Sequence, residues 1–258
     1  MRHPFSGYVL SSRVTPFVIL FLERDGSTYL TSLLDAHPEI VAAYERFAVL
    51  REEGATAAAQ LDWARSYLTP PLIGRARAIG FKTKLVDVLD PVGFACLLQD
   101  RNCRILQMRR RNHVKAVVSR MNALRLHQAT GNWNLYREAD RLPPLEVDPA
   151  EFAEFLSERR SAEAELQGYV DALGLQTLRL EYEDLLRDRS ALLRAVFDFL
   201  RVCPLELEGR PLKNTSDDLR QAIANFDELR AAYAGTDYEA MFDERIDSAG
   251  LAKAPWTR

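Results

Sequence analysis

Arg24-Asp25-Gly26-Ser27-Thr28 is the segment of this chain whose residue types and spacing most directly suggest chemistry. It interrupts an apolar run, Phe17 to Leu22, just before a helical pattern carried by Leu30, Leu33 and Leu34. A strand, a glycine turn and a helix opening on two hydroxyl residues gather backbone N–H groups around one point. Such a nest holds an anion, most often a phosphate. A second cationic group stands at Arg109-Arg110-Arg111, followed by Asn112 at a helix N-cap position. Ser119 lies about two helical turns beyond Asn112 and on its face. An arginine fork with a hydroxyl makes a second phosphate clamp. Alone, a Gly-Ser-Thr turn is often only a turn, and three arginines are often a solvated face. Their joint placement after two apolar strands points to a ligand with two separated phosphates.

These groups need strands to deliver them. Strands are expected at 17–22, 79–85, 103–108 and 175–180, the last ahead of Tyr182-Glu183-Asp184-Leu185. Helices are expected at about 27–36, 112–126, 150–173, 191–200 and 216–233. The first stops at His37-Pro38, because proline disfavours helical geometry in the residue before it. Val114, Val117, Val118, Met121 and Leu124 make one apolar face, and Gly174 suits a helix C-cap. Residues 39–79 read as a mostly helical excursion containing Trp63 and Tyr67, and 127–149 as a polar surface insertion carrying Trp133 and Tyr136. Residues 1–16 read as an irregular lead-in. Alternating strands and helices predict an α/β fold, a three-layer sandwich with a central, mostly parallel sheet, within one domain over 1–258. Ligands of such sheets bind beyond the carboxyl ends of the strands.

Composition narrows the function classes. A formal net charge of -3 over 258 residues argues against non-specific nucleic-acid binding. Cys96, Cys103 and Cys203 have no metal-like spacing and read as free thiols in a reducing compartment. The first residues lack the apolar core of a signal peptide, and 17–22 falls far short of the roughly 20 residues that span a bilayer. A cytoplasmic chain without a transmembrane anchor is the expectation. The G-x-x-x-x-G-K-[ST] and G-x-G-x-x-G patterns are both absent, which disfavours a kinase or a dehydrogenase.

On these residues the chain resembles the sulfotransferases that use 3′-phosphoadenosine 5′-phosphosulfate (PAPS). Arg24, Asp25, Gly26, Ser27, Thr28 and Tyr29, with Leu33-Leu34 and His37-Pro38, resemble the family's 5′-phosphosulfate loop and helix. Arg111-Asn112 and Ser119 resemble its 3′-phosphate motif. Tyr182-Glu183-Asp184-Leu185 resembles a segment whose tyrosine contacts adenine, and Lys213-Asn214-Thr215 the loop that closes over the nucleotide. The similarity covers about 17–242 and is nearest to the bacterial branch that sulfates carbohydrates, on His37 through Phe47 and Gly80-Phe81-Lys82. It implies PAPS as donor, adenosine 3′,5′-bisphosphate as product, no metal, and a carbohydrate or glycolipid acceptor. Asp25 departs from the serine common in that loop. Its carboxylate is unfavourable beside a dianion unless it points away or hydrogen-bonds the turn.

Sulfuryl transfer needs in-line attack, neutralised peripheral oxygens and a stabilised leaving group. The resemblance implies Glu45 as the base, with Phe47 expected to desolvate it and raise its pKa. Lys82 is the candidate for contact with sulfuryl oxygens or acceptor. His37 is a rival base with a packing role as its plainer reading; His113 and His127 have no partner that the sequence identifies. Trp133 and Tyr136 suit a sugar face, whereas Arg120 and Arg125 are left outside the site. Acceptor selection is expected in 39–79 and 127–149. Two alternatives stay open: sulfation of a non-sugar alcohol or carrier-bound metabolite, and a catalytically inactive nucleotide-binding scaffold. The oligomeric state is not readable.

Overall fold

The computed structural model describes residues 9–10, 14–70, 73–207 and 215–246. In chain order its elements are β1 (Val9–Leu10), β2 (Thr15–Phe21), α1 (Ser27–Asp35), β3 (Ile40–Ala43), α2 (Arg46–Glu52), α3 (Ala57–Tyr67), β4 (Ile73–Gly74), β5 (Ala78–Thr83) and α4 (Pro91–Asp100). There follow β6 (Arg104–Arg109), α5 (His113–Thr130), α6 (Pro149–Leu173), β7 (Thr177–Glu181), α7 (Tyr182–Arg187) and α8 (Arg189–Leu200). The described chain closes with α9 (Leu219–Ala222), α10 (Phe226–Ala232) and α11 (Glu239–Asp243).

The central sheet runs β3-β5-β2-β6-β7, with every neighbouring pair parallel. β2 is buried at every position except the half-buried Pro16, as expected of a parallel strand covered on both faces. Its side chains alternate. Phe17, Ile19 and Phe21 pack with α1, α7 and α8, while Val18 and Leu20 pack with Phe47, Phe81, Phe94 and Leu166 on the opposite face. The result is an α/β three-layer sandwich. Gly80 on β5 lies against Phe17, and a Cβ there would stand 2.2 Å from the Phe17 carbonyl oxygen. The adjacent strands close up only because Gly80 has no side chain.

The excursion at 39–79 is less helical than its sequence suggests, because Ile40–Ala43 forms the edge strand β3 against β5. Four residues are too few to display a period. The expected helix at 216–233 is broken. Ile223 has extended backbone, the Leu145 N–H donates to the Ala222 carbonyl and the Ala224 N–H to the Leu145 carbonyl, both at 2.8 Å. Residues 127–149 are not only surface: 127–130 finish α5, and Leu135, Leu145 and Val147 are buried. The helix α4 is absent from the sequence expectation, although Asp90 at its N-cap and Pro91 at its first position mark its start. α5 is buried around most of its circumference rather than on one face, while Leu124 is only half-buried.

Gln60 on α3 fastens the excursion. Its buried side-chain amide donates to the carbonyls of Phe47 at 3.1 Å and Asp87 at 2.8 Å. Its Oε1 accepts the Leu89 N–H at 2.9 Å. The segment beginning at Glu45 is thereby joined to the one that follows Lys84. Among the described residues no helix is long and apolar enough to cross a membrane.

Candidate functional site

The carboxyl ends of β2, β3, β5, β6 and β7 release, in turn, the 22–28 turn, Tyr44-Glu45, Lys84, Arg110–Asn112 and Tyr182–Asp184. At the turn the Asp25 N–H donates to the Leu22 carbonyl at 3.2 Å. Arg24 and Gly26 both take positive φ, 68° and 84°. Gly26 offers α1 no side-chain cap. The amides of Ser27, Thr28 and Tyr29 precede the helix's first i→i−4 bond and remain available to a ligand. A Cβ on Gly26 would lie 2.3 Å from the Tyr182 ring, so both conformation and space demand glycine.

Asp25 does not face the nest. Its Oδ2 accepts the Leu22 N–H at 2.9 Å and its Oδ1 accepts from Arg159 Nη2. Burial pushes its carboxyl up to about 6 against the downward pull of Arg159. Both conditions set by the sequence, pointing away and bonding the turn, are met. Tyr29 is likewise turned inward: its ring is buried, and Arg189 Nη1 donates to its Oη at 3.3 Å.

Lys82 joins the turn to Glu45. Its buried ammonium donates to Thr28 Oγ1 at 2.7 Å and pairs with Glu45 Oε1 at 2.9 Å. Burial lowers the Lys82 pKa and Glu45 opposes that shift. Lys84 Nζ stands 3.9 Å from Glu45 Oε2 and 3.4 Å from the buried Asp87. Glu45 sits between two ammonium groups at the N-cap of α2. Phe47 does not screen it, because that ring is fully buried against Trp63, Phe81 and Phe94. The pattern of an acid followed by an aromatic residue misjudged the direction of the ring.

The second anion motif meets the first through Arg24, whose Nε donates to Ser119 Oγ at 2.9 Å and Nη1 to Asn134 Oδ1 at 3.3 Å. Burial, followed by the charge of Arg110, lowers the Arg24 pKa. Arg111 pairs with Asp184 at 2.9 Å on the surface. Asn112 caps α5 by accepting the Lys115 N–H at 2.8 Å, and its amide donates to the Met241 carbonyl at 2.8 Å. Thr215 Oγ1 accepts from Asn122 at 3.2 Å, while Lys213 and Asn214 lie outside the described residues.

Two contributors had escaped the sequence reading. Glu183 accepts the N–H groups of Arg111 and Asn112 at 3.1 and 3.2 Å, fixing the start of the second motif. Arg110, inside the triple arginine, donates to the Arg24 carbonyl at 3.3 Å and stands 5.0 Å over the Tyr182 ring, leaving its Nε buried without a hydrogen-bond partner. The Tyr182 ring is therefore packed between Gly26 and Arg110. The adjacency of Glu183 and Asp184 to Tyr182 was the available signal for the first. The three arginines differ only in direction, which composition does not encode.

Other expectations shift. His37 Nδ1 accepts the Glu39 N–H at 3.0 Å, so Nε2 carries the proton toward the Cys203 carbonyl at 2.8 Å; this is a packing role. His113 pairs with Glu163 at 2.9 Å and His127 stacks on Trp133 at 4.1 Å, so each has a partner. Arg120, set outside the site by sequence, lines a cleft of about 280 Å³ with Leu22, Lys84, Val86, Phe155 and Arg159. Its guanidinium pairs with Glu23 at 2.7 Å and Glu158 at 2.8 Å and lies 4.4 Å over Phe155. The cleft is walled by α5, α6 and the 84–86 loop, with no residue from 39–79 or 127–149. Trp133 and Tyr136 are exposed and do not line this cleft. Among the described residues no group of three or more His, Cys, Asp or Glu side chains is placed to hold a metal ion.

No family model matches the chain. It is 27% identical over 239 residues to nodulation protein H of Rhizobium meliloti, covering 88% of this chain and 95% of that one. Nodulation protein H of Rhizobium tropici is 26% identical over 237 residues, with 88% and 93% covered. A sulfotransferase structure from Alicyclobacillus acidocaldarius superposes with a TM-score of 0.50 at 20% identity, covering 92% of this chain and 98% of that one. The chain has a sulfotransferase-like fold and is related in sequence to nodulation protein H.

Proposed function

We propose that this protein transfers a sulfuryl group from PAPS to a hydroxyl of a carbohydrate or glycolipid. The observation that carries the reading is Lys82, one ammonium that holds both Thr28 of the anion turn and Glu45. A group seated on the turn lies beside a carboxylate able to take a proton. The residues fit the donor: uncapped amides at Ser27–Tyr29 and the Arg24 cation suit a 5′-anion, and Arg111 with Ser119 suits a 3′-phosphate. The Arg111–Asp184 pair is exposed, so a phosphate can replace Asp184 at little cost.

In the reaction the acceptor oxygen bonds to sulfur as the bond from sulfur to the 5′-phosphate oxygen breaks, and the hydroxyl proton passes to Glu45. Lys82 orients Glu45 and offers its charge to oxygens gathering negative charge near Thr28. Lys84, shared between Glu45 and the cleft, brings an acceptor seated there within reach of the base. The cleft's apolar wall of Leu22, Val86 and Phe155 supports a second reading, an alcohol with an apolar body rather than a sugar. The scaffold reading loses its main support, since Asp25 is directed away from the nest.

The test is calorimetric titration with adenosine 3′,5′-bisphosphate against adenosine 5′-monophosphate, followed by transfer of labelled sulfate to sugar and non-sugar alcohols. Preference for the bisphosphate, diminished in Arg111→Ala, is expected. Glu45→Gln should bind it normally while losing about 10²- to 10⁴-fold in turnover. Absence of binding by folded protein would overturn the donor assignment, and full turnover by Glu45→Gln the assignment of the base.

A further inference from the structure

Arg159 is buried on α6, far in sequence from the anion turn, yet it grips that turn at two points. Its Nη1 donates to the Glu23 carbonyl at 3.1 Å, and its Nη2 to Asp25 Oδ1. Asp25 in turn takes the Leu22 N–H at 2.9 Å. One guanidinium thus fixes the carbonyl on one side of Arg24 and the carboxylate on the other, and Arg24 itself is held at φ 68° between them. A non-glycine residue keeps that conformation only where its surroundings impose it.

The helix that bears Arg159 is itself anchored. One turn further along, Glu163 pairs with Arg109 at the end of β6 at 3.0 Å and with His113 at the start of α5 at 2.9 Å. The other charge acting on Asp25 is Arg110, which reaches the same turn through the Arg24 carbonyl. The Asp25 carboxylate is therefore embedded among cations behind the nest. Paired, it completes the turn. Unpaired, it would either leave a negative charge directly behind a site for an anion or take up a proton and give up an acceptor of the turn.

We infer that Arg159 is a positioning residue for the anion turn, acting through Asp25 to shape the turn and to neutralise the charge behind it. The inference rests on the reading of that turn as the 5′ end of a nucleotide site. Arg159 touches no reacting atom. It bears most directly on the 5′ anion, because the second motif has supports of its own in Glu183 and Asp184 and is linked to the turn through Arg24 and Ser119. Arg159 also lines the cleft, so its two roles share one side chain.

The experiment compares binding of adenosine 5′-monophosphate, adenosine 3′-monophosphate and the 3′,5′-bisphosphate to the full chain. Arg159→Met should weaken the 5′-monophosphate and the bisphosphate about tenfold, through the unpaired carboxylate and the loosened turn, and the 3′-monophosphate clearly less. Asp25→Ser in the Arg159→Met background should restore most of the loss, since the serine retains an acceptor for the Leu22 N–H and removes the stranded charge. Equal weakening of both monophosphates, no weakening, or no recovery in the double variant would overturn the inference. Should Arg159→Met fail to fold, Arg159→Lys decides, because it keeps the charge but loses the two-point grip. A selective loss for the 5′-monophosphate supports the inference, and unchanged binding refutes it. If the unaltered protein binds none of the three, the nucleotide reading itself fails and takes this inference with it. Binding by the unaltered protein without selectivity in the variants defeats the inference alone.

Discussion

Two arginine–aspartate pairs flank the site, and they are built to opposite ends. Arg159 and Asp25 are 7% and 2% exposed at their side chains, whereas Arg111 and Asp184 are each 46% exposed. The buried pair cannot exchange partners, because separation leaves a charge without water. The outer pair loses little on opening, since solvent can take the place of either partner and an anion that of Asp184. Burial therefore separates an ion pair that forms part of the frame from one that can serve as a latch.

The largest test of that contrast is thermodynamic. Arg159→Met should lower unfolding free energy by about 3–5 kcal/mol, and Arg111→Met by less than about 1 kcal/mol. Urea midpoints at unchanged slope would measure both; similar losses would break the comparison. Next is Gly26→Ala, which combines a φ of 84° with a methyl group 2.3 Å from Tyr182. We expect a loss of about 2–3 kcal/mol and a marked fall in bisphosphate affinity, seen in the same denaturation series and by calorimetry.

Acidity gives a smaller, directional effect. Burial, opposed by Arg159, raises the Asp25 carboxyl from 3.8 to about 6. A folded-state value above the unfolded one means that this group's contribution is full below about pH 4 and is lost as pH rises through about 6. The change is of order 2 kcal/mol and should vanish from the pH profile of Asp25→Asn, read as the urea midpoint between pH 4 and 7.5. A flat wild-type difference profile would show that Arg159 fully compensates burial. Least of all, Asp184→Asn should leave stability within about 1 kcal/mol and strengthen bisphosphate binding about threefold, by freeing Arg111. Weaker binding would mean that Asp184 positions Arg111 rather than competing for it.

The same contrast explains what was legible in the chain. β2, the turn and the caps of α5 and α6 are local: an apolar run, a glycine between hydroxyl and charged residues, Asn112 before one helix and Gly174 after another. Each is written within a few neighbours. Lys82 and Glu45 were identified as residues, but their meeting at Thr28 depends on the β2–β5 register, which brings Ile19 opposite Lys82. Arg159 is invisible by the same reasoning. It lies on a helix rich in charged residues, and only the packing of α6 against the turn singles it out. The edge strand β3 was too short to show alternation, and the break at Ile223 is imposed by Leu145 from outside its own segment.

Gln60 has a bearing on how such a protein can diverge. Its amide closes three backbone groups at once, and no charged or apolar replacement can both donate twice and accept once there. The surface around it is under no such restriction: Val49, Val86 and Leu89 are exposed. Substitutions can therefore accumulate across the outer face of the 44–90 segment while the fastening remains in place. The span is thus divided between an outer face open to change and an inner one, Lys82 and β5, tied to the anion turn and to β2.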